Sequence, residues 1–236
     1  MRAETRYQLK HDRFAEVTGE TVHWAVEHRK TITILGLLAV IAVGAILGSW
    51  YYLQIQDQKA SLEMAQALRT YDAAIVPAGT PPQPGFTTFT SVQERARTAQ
   101  GQFRTIAQKY RRTRSGEIAR YFAALTDVDL GNAAAAEKEF KEIYGSHNQD
   151  LAALAKLALA NQYRNSGRDA EAIALYKQLI EHPTRSVGKA EVQFEMAALY
   201  KSKQPAEAKK IYEQIRKDNP AGPAAEMASA QLQDMK

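Results

Sequence analysis

The chain has 236 residues, 45 % of them apolar, and a formal net charge of +5 at pH 7. A balance this close to neutral is not typical of a polycation that binds nucleic acid, so we expect no nucleic-acid partner. The sequence contains no cysteine, which excludes disulfides, thiolate metal sites, a cysteine nucleophile and an acylated cysteine anchor.

Residues 1–30 are predicted to form a short amphipathic segment on the cytoplasmic surface of a membrane. Apolar side chains recur at helical spacing from residue 12 to residue 30, with charged residues between them. His23 and His28 are five residues apart, whereas histidine pairs that share a metal on a helix stand at i and i+4. We interpret both histidines as ordinary polar residues and predict no metal site.

Residues 31–53, TITILGLLAVIAVGAILGSWYYL, form an uncharged stretch long enough to cross a hydrocarbon core of roughly 30 Å as a helix. The flanking residues are Arg29 and Lys30 before it and Trp50, Tyr51 and Tyr52 at its end. Because basic residues mark the cytoplasmic side and aromatic residues the interface, the N-terminus should be cytoplasmic and the remaining chain outside. A cleaved signal peptide would have a shorter apolar core and a small-residue cleavage site, so the sequence favours an uncleaved signal anchor.

Gly44 and Gly48 form a GxxxG pattern inside this predicted span. Such a pair lets a second transmembrane helix approach closely, which makes it a candidate helix contact. The alternative is that glycine is simply frequent in membrane helices.

Residues 54–75 are predicted to continue the helix outward as an exit helix, or stalk. Residues 76–90, VPAGTPPQPGFTTFT, contain four prolines and two glycines and are predicted to form a loop without regular structure.

A repeated pattern follows this loop. Ala136, Ala172 and Ala208 lie 36 residues apart, each followed by an aromatic residue at i+4 and an aliphatic one at i+7. These followers are Phe140, Tyr176 and Tyr212, and Ile143, Leu179 and Ile215. Positions i, i+4 and i+7 share one helical face, and their recurrence predicts a solenoid of stacked helix pairs.

Each predicted second helix is preceded by a first helix with its own small and large residue. These pairs are Leu125 and Val128, Ala160 and Tyr163, and Ala197 and Tyr200, which makes the first and third units each one residue shorter than the second. A weaker copy at Ala99, Phe103 and Ile106 indicates the second helix of an initial unit, whose first helix would be the end of the stalk near Tyr71. A last helix after Pro223 is predicted to cap the stack.

The second unit resembles the tetratricopeptide repeat. Its matching residues are Leu159, Ala160, Tyr163, Gly167, Ala172, Tyr176 and Pro183. The resemblance covers roughly residues 93–236. It implies an all-α fold in which the predicted transmembrane helix is followed by a repeat domain, residues 91–236, with three clear units, a weak first one and a capping helix.

First helices of stacked pairs should line the concave surface, where an extended peptide or an unfolded segment would bind. The candidate groove residues are Phe122, Leu157 and Phe194, then Thr126, Asn161 and Ala198, then Asp129, Arg164 and Lys201. The alternative is that these residues form a solvated solenoid face without a partner.

A basic patch comprises Arg104, Lys109, Arg111, Arg112 and Arg114. Near a membrane it is suited to anionic lipid headgroups or to an acidic partner. A solvated loop between helices is the alternative interpretation.

Catalytic patterns such as GxSxG, HExxH, a P-loop or a glycine-rich dinucleotide turn do not occur in the sequence. We therefore expect no enzyme activity, no cofactor and no small-molecule substrate.

The order of these segments resembles the ancillary Sec-translocon subunit (YfgM-like) family of bacterial inner membranes, and residues 44–75 are the part most similar to it. The resemblance implies a periplasmic repeat domain and protein partners among translocon subunits, periplasmic chaperones and exported clients. Two alternatives remain open. One is a cell-envelope adaptor of the outer-membrane assembly or Tol type, and the other is a signalling regulator acting through its cytoplasmic tail.

Overall fold

A computed structural model describes residues 28–80 and 85–235. The predicted cytoplasmic segment, with His23, therefore lies almost wholly outside the described residues. The elements in chain order are α1 (Arg29–Tyr71), β1 (Ala74–Ile75), β2 (Thr88–Phe89), α2 (Val92–Lys109), α3 (Arg114–Asp129), α4 (Ala133–Tyr144), α5 (Gln149–Asn165), α6 (Asp169–Glu181), α7 (Lys189–Lys203), α8 (Pro205–Asp218) and α9 (Pro223–Gln233). The predicted all-α architecture of stacked helix pairs is confirmed.

The chain divides into two compact parts, an N-terminal part, Met1–Ile55, and a C-terminal part, Gln56–Lys236. In the described residues of the N-terminal part, the large apolar side chains of α1 are exposed, as at Leu37 (63 %), Val40 (68 %) and Ile46 (67 %). Helix α1 is long and apolar enough to cross a membrane by length and composition.

The C-terminal part is built from helix pairs that bury the predicted repeat positions. Ala136, Ala172 and Ala208 are all 0 % exposed, and the aromatic and aliphatic residues that follow them on α4, α6 and α8 are at most 3 % exposed. The initial pair is also present, because Ala99, Phe103 and Ile106 of α2 pack with Ala60, Met64 and Ala67 of α1. Helix α9 covers the last pair through Ala228 and Leu232.

The first repeat unit, α3 and α4, has a different register from the one predicted. Gly131 and Gly167 both adopt positive φ, 77° and 75°, at the turn between the two helices of their pairs. In both turns the N–H of the residue after the glycine donates to a carbonyl 2.8 Å away, that of Asp127 in the first unit and that of Tyr163 in the second. Asp127 therefore occupies the position of Tyr163.

This register makes the first two units equal in length. Asp127 precedes Ala136 by the same nine residues that separate Tyr163 from Ala172. Val128, predicted to be the packed residue, is 40 % exposed, whereas Asp127 is 2 % exposed. The predicted register, with its one-residue shortening of the first unit, is wrong.

Asp127 is buried because its carboxylate is fully engaged. Oδ1 accepts hydrogen bonds from Gln100 Nε2 at 2.8 Å and Asn132 Nδ2 at 3.2 Å, and Oδ2 accepts one from Arg104 at 2.9 Å. A buried carboxylate is tolerated when it is paired and hydrogen-bonded in this way. These hydrogen bonds join α2 to α3. The second repeat unit has Tyr163 at the position equivalent to Asp127.

The loop between α1 and α2 contains a short parallel strand pair, Ala74 opposite Thr88 and Ile75 opposite Phe89. The prediction that residues 76–90 contain no regular element is therefore wrong at residues 88–89. Helix α1 ends at Tyr71, so the end of the predicted exit helix lies in β1. Arg95 stabilises this end by donating to the Ala73 carbonyl at 3.1 Å.

Glu137 on α4 links the first unit to the second. Its carboxylate accepts hydrogen bonds from Tyr163 Oη at 2.9 Å, Lys141 Nζ at 2.6 Å and Arg168 Nη1 at 2.7 Å. The Arg168 guanidinium also lies 3.9 Å from the Tyr163 ring centroid. The hydrogen bonds from Lys141 and then Arg168 lower the pKa of Glu137 to about 2.

Replacing Tyr176 by alanine should strongly destabilise the stack, because its ring is 0 % exposed. We expect the free energy of unfolding to fall by about 3–5 kcal/mol in chemical denaturation of the full chain. The matched control is Tyr144→Ala, since Tyr144 is 38 % exposed and its ring contacts the Lys156 ammonium at 4.5 Å. That variant should lose about 1 kcal/mol or less, and equal losses in the two variants would contradict the packing described here.

Glu137→Gln should remove part of the pH dependence of stability. The folded-state pKa of Glu137 is about 2, below the ordinary 4.5, so its contribution is present above pH 4.5 and is lost as the pH falls towards 2. In urea titrations over this range, the wild type should lose more stability than Glu137→Gln. Glu181→Gln, on an exposed position of α6, is the control and should follow the wild type.

Candidate functional site

The first helices of successive pairs form a common surface. Helix α3 packs against α5, and α5 packs against α7, in addition to the contacts of each helix with its chain neighbours. With the corrected register, the side chains at equivalent positions of this first-helix face are Tyr121, Leu125 and Val128 of α3, Leu157, Asn161 and Arg164 of α5, and Phe194, Ala198 and Lys201 of α7. The first-helix face is defined by these nine residues together with Ile118, Leu154 and Glu191, one turn earlier.

Three predicted groove residues of α3 do not lie on this face. Phe122 stacks on Phe103 with ring centroids 5.2 Å apart and meets the Tyr71 ring at 5.8 Å. Thr126 is 0 % exposed, and its hydroxyl donates to the Ala123 carbonyl at 2.7 Å. A one-residue slip turns a side chain by about 100° around a helix, which explains why these predicted positions are wrong.

Asp129, the third of them, is exposed at the end of α3 and faces the initial pair. Burial, together with the Asp129 carboxylate and its hydrogen bond, raises the pKa of Tyr71 to about 12. Asp129 therefore secures the contact between α3 and α1. Its assignment to the groove is wrong.

The floor of the first-helix face is apolar. Ile118, Tyr121, Leu125 and Leu154 are half-buried against the main core. Leu157 is 9 % exposed and belongs to that core, so its prediction as an open groove residue is wrong. Burial, and to a smaller extent the Glu191 carboxylate, raises the pKa of Tyr121.

A polar cluster lies beside this floor. Tyr176 Oη donates to Asn161 Oδ1 at 2.6 Å, which leaves the Asn161 amide nitrogen as a donor. Arg164 of α5 forms a half-buried ion pair with Glu195 of α7. Burial raises the pKa of Tyr176 to about 12, with Arg164 lowering it and Glu195 raising it by smaller amounts. The predicted residues Asn161 and Arg164 are thus brought together.

The three predicted residues of α7 are Phe194, Ala198 and Lys201, and Ala198 is exposed. Phe194 is half-buried, and its ring centroid is 5.8 Å from that of Tyr212. Lys201 is exposed, and its ammonium donates to Gln231 Oε1 at 2.9 Å.

The predicted basic patch centres on a four-residue turn between α2 and α3. Tyr110 and Thr113 of this turn are 3 % and 5 % exposed. Thr113 caps α3, because its hydroxyl oxygen accepts from the Gly116 N–H at 3.0 Å. A Cβ at Gly116 would lie 2.0 Å from the Tyr110 carbonyl oxygen, so only glycine fits this close approach.

Two members of the predicted patch, both on α2, form ion pairs. Arg104 pairs with Asp127, and Lys109 pairs with Glu63 at 2.6 Å. Hydrogen bonds from Lys109 first, and then from Tyr110, lower the pKa of Glu63. The other three predicted members of the patch, Arg111, Arg112 and Arg114, are exposed and form no ion pair with any residue in 28–80 or 85–235.

The predicted transmembrane helix contact, through Gly44 and Gly48, lies in the N-terminal part of the chain. A Cβ at Gly44 or Gly48 would meet no atom within 4 Å among the described residues. The helix contact through these glycines stays a prediction. In the described ranges, no group of three or more histidine and acidic side chains is placed to hold a metal ion.

The predicted groove does not include Tyr121 and Leu125, because the apolar Val128 suited the large packing position better than Asp127, which the structure buries there. The 36-residue separation of Gly131 and Gly167 was the signal that fixes the register, since both glycines have positive φ at equivalent turns.

A protein-family model described as a tetratricopeptide repeat-like domain matches residues 23–236. No curated protein and no solved structure matches the chain. The match covers the repeat pairs as well as the apolar half of α1.

Gly116→Ala should destabilise the protein, because the added methyl group would collide with the Tyr110 carbonyl and open the basic turn. We expect a loss of about 1–3 kcal/mol in chemical denaturation. Gly101→Ala is the matched control, since Gly101 is exposed within α2 and its Cβ would meet nothing within 4 Å. That change should stabilise the protein by about 0.5–1 kcal/mol, and a stable Gly116→Ala protein would show that the turn tolerates a side chain.

Proposed function

The chain belongs to the tetratricopeptide repeat-like domain family, and we propose that it is a protein-interaction scaffold whose first-helix face holds an extended polypeptide segment. The scaffold has no catalytic role. Its groove consists of the apolar floor of α3 and α5 and the polar cluster around Asn161 and Arg164. Phe194 and Lys201 extend it along α7.

The observation that carries this proposal is the pairing of an apolar floor with an oriented amide. An extended peptide presents side chains on alternate sides and a carbonyl at every residue. Half-buried Ile118, Tyr121, Leu125 and Leu154 offer apolar area to the side chains. The Asn161 amide, whose oxygen accepts from Tyr176, makes no hydrogen bond through its nitrogen to the described residues, so this nitrogen can donate to a main-chain carbonyl of the peptide.

We also propose that α1 anchors this scaffold in a bacterial inner membrane through residues 31–53. The exposed apolar side chains of this segment and its basic and aromatic flanks support this assignment. The N-terminal tail is then cytoplasmic, and the stalk (54–75), the loop (76–90) and the repeat domain (91–236) are periplasmic.

The partners we propose are subunits of the Sec translocon, periplasmic chaperones and exported polypeptides. The support is the similarity of the segment order to the YfgM-like ancillary subunit family. A groove for extended chain is suited to clients that have not yet folded, because such chains expose apolar side chains and unpaired main-chain groups.

Site-specific photo-crosslinking in membranes tests the groove. A photoreactive residue at Val128 or Ala198, both exposed on the first-helix face, should capture exported polypeptides and translocon subunits. The same residue at Lys177 or Glu213, exposed on second helices, should capture neither. Asn161→Asp keeps the acceptor for Tyr176 but removes the donor amide, so client crosslinks should fall about fivefold, the equivalent of one hydrogen bond.

Equal capture by both faces would contradict the groove assignment. Capture of outer-membrane assembly or Tol components alone would contradict the translocon role and favour an envelope adaptor. Protease added to spheroplasts checks the orientation, because it should degrade residues 54–236 while leaving the cytoplasmic tail intact.

A further inference from the structure

Three exposed arginines, two in the turn between α2 and α3 and one at the start of α3, alternate with buried residues. Tyr110 and Thr113 are buried, whereas Arg111, Arg112 and Arg114 are exposed. This alternation is enforced by the Thr113 cap and by the close approach of Gly116 to Tyr110. Residues 111–114 therefore carry three exposed positive charges beside a turn whose backbone is held by buried contacts.

No acidic side chain in residues 28–80 or 85–235 forms an ion pair with these three arginines. Glu63 of α1 is engaged by Lys109 and by the Tyr110 hydroxyl at 2.8 Å. Asp57 of α1 accepts a hydrogen bond from the Ser115 N–H. Arg114 is also the first residue of α3, where the positive end of the helix dipole disfavours a cation. Three exposed guanidinium groups that form no ion pair within the described residues are suited to phosphate oxygens, with which arginine forms bidentate hydrogen bonds.

The turn is attached to the part of α1 that follows the proposed span. The Ser115 N–H, at the start of α3, donates to Asp57 Oδ1 at 2.8 Å. Asp57 is four residues beyond Leu53, so chain connectivity alone keeps it within about 14 Å of the last residue of the span. The headgroup layer occupies about 6 Å of that distance. The remaining 8 Å or so is comparable to the Debye length at physiological ionic strength.

We propose that Arg111, Arg112 and Arg114 bind the phosphates of anionic lipid headgroups in the leaflet next to the repeat domain. This inference rests on the proposed membrane anchor. The contact adds a second attachment between the chain and the bilayer and holds α3, the first helix of the groove, close to the membrane surface.

The test uses the full chain in nanodiscs of phosphatidylcholine, with or without phosphatidylglycerol. Because the sequence has no cysteine, Gln108→Cys, at an exposed position beside the turn, carries a single nitroxide label. Its collision rate with a water-soluble nickel relaxation agent reports how much of the turn is covered. We expect lower collision rates in nanodiscs with phosphatidylglycerol, and high salt should restore them.

Charge variants separate the lipid contact from a general charge effect. Each arginine near an anionic surface should favour the docked state about fivefold, so replacing all three by glutamine should lower the docked-to-free ratio about a hundredfold. Lys209→Gln, Arg216→Gln and Lys217→Gln on α8 remove the same charge and should leave the docked-to-free ratio unchanged. A label at Ser202→Cys should not respond to phosphatidylglycerol. Unchanged thermal unfolding of both triple variants shows that the fold is intact.

Two results would overturn the proposal in distinguishable ways. A wild-type chain that enters both nanodiscs with equal collision rates contradicts the lipid contact and leaves the anchor standing. A chain that enters neither nanodisc contradicts both. If the arginine variant loses crosslinks to an acidic protein while its collision rates match the wild type in both lipids, the turn binds a protein instead of lipid.

Discussion

The repeat domain depends on a fully buried alanine in each second helix. Ala136, Ala172 and Ala208 are 0 % exposed, and each lies one turn before a buried aromatic ring. A small side chain at this position lets the two helices of a pair approach closely, and the ring then fills the space between neighbouring pairs. A larger residue would separate the helices and disturb the first-helix face, so the groove that we propose depends on this tight contact.

The sequence predicted this contact well because it obeys a periodic rule. The alanine, aromatic and aliphatic positions recur at fixed spacing, and all nine are buried in the structure. The first helices were harder to place because burial there does not follow hydrophobicity. Asp127 is buried through hydrogen bonds to Gln100, Arg104 and Asn132, which lie 27, 23 and 5 residues away. Tertiary pairing of this kind leaves no periodic trace in the chain.

The single-residue error at Asp127 explains most of the misplaced groove residues. It moved the predicted face of α3 from Tyr121 and Leu125 to Phe122 and Thr126, which are directed towards the initial pair and the core. In α5 and α7 the register was right, so Asn161, Arg164, Phe194 and Lys201 lie on the first-helix face. Binding positions inherit the accuracy of the packing register, because one residue of slip turns a side chain by about 100°.

The basic turn shows the opposite relation between sequence and structure. Its composition was evident as KYRRTR, but composition alone did not distinguish paired from unpaired charges. The structure separates them by the partners that α1 and α3 supply, Glu63 for Lys109 and Asp127 for Arg104. The α1 residues that make these contacts are Asp57, which accepts from the Ser115 N–H, and Glu63, which pairs with Lys109. They lie four and ten residues beyond Leu53, the end of the apolar segment. Interactions that stabilise the initial pair, α1 and α2, thus also select which positive charges remain available to a ligand. The stability of this pair is therefore coupled to the surface that we assign to lipid.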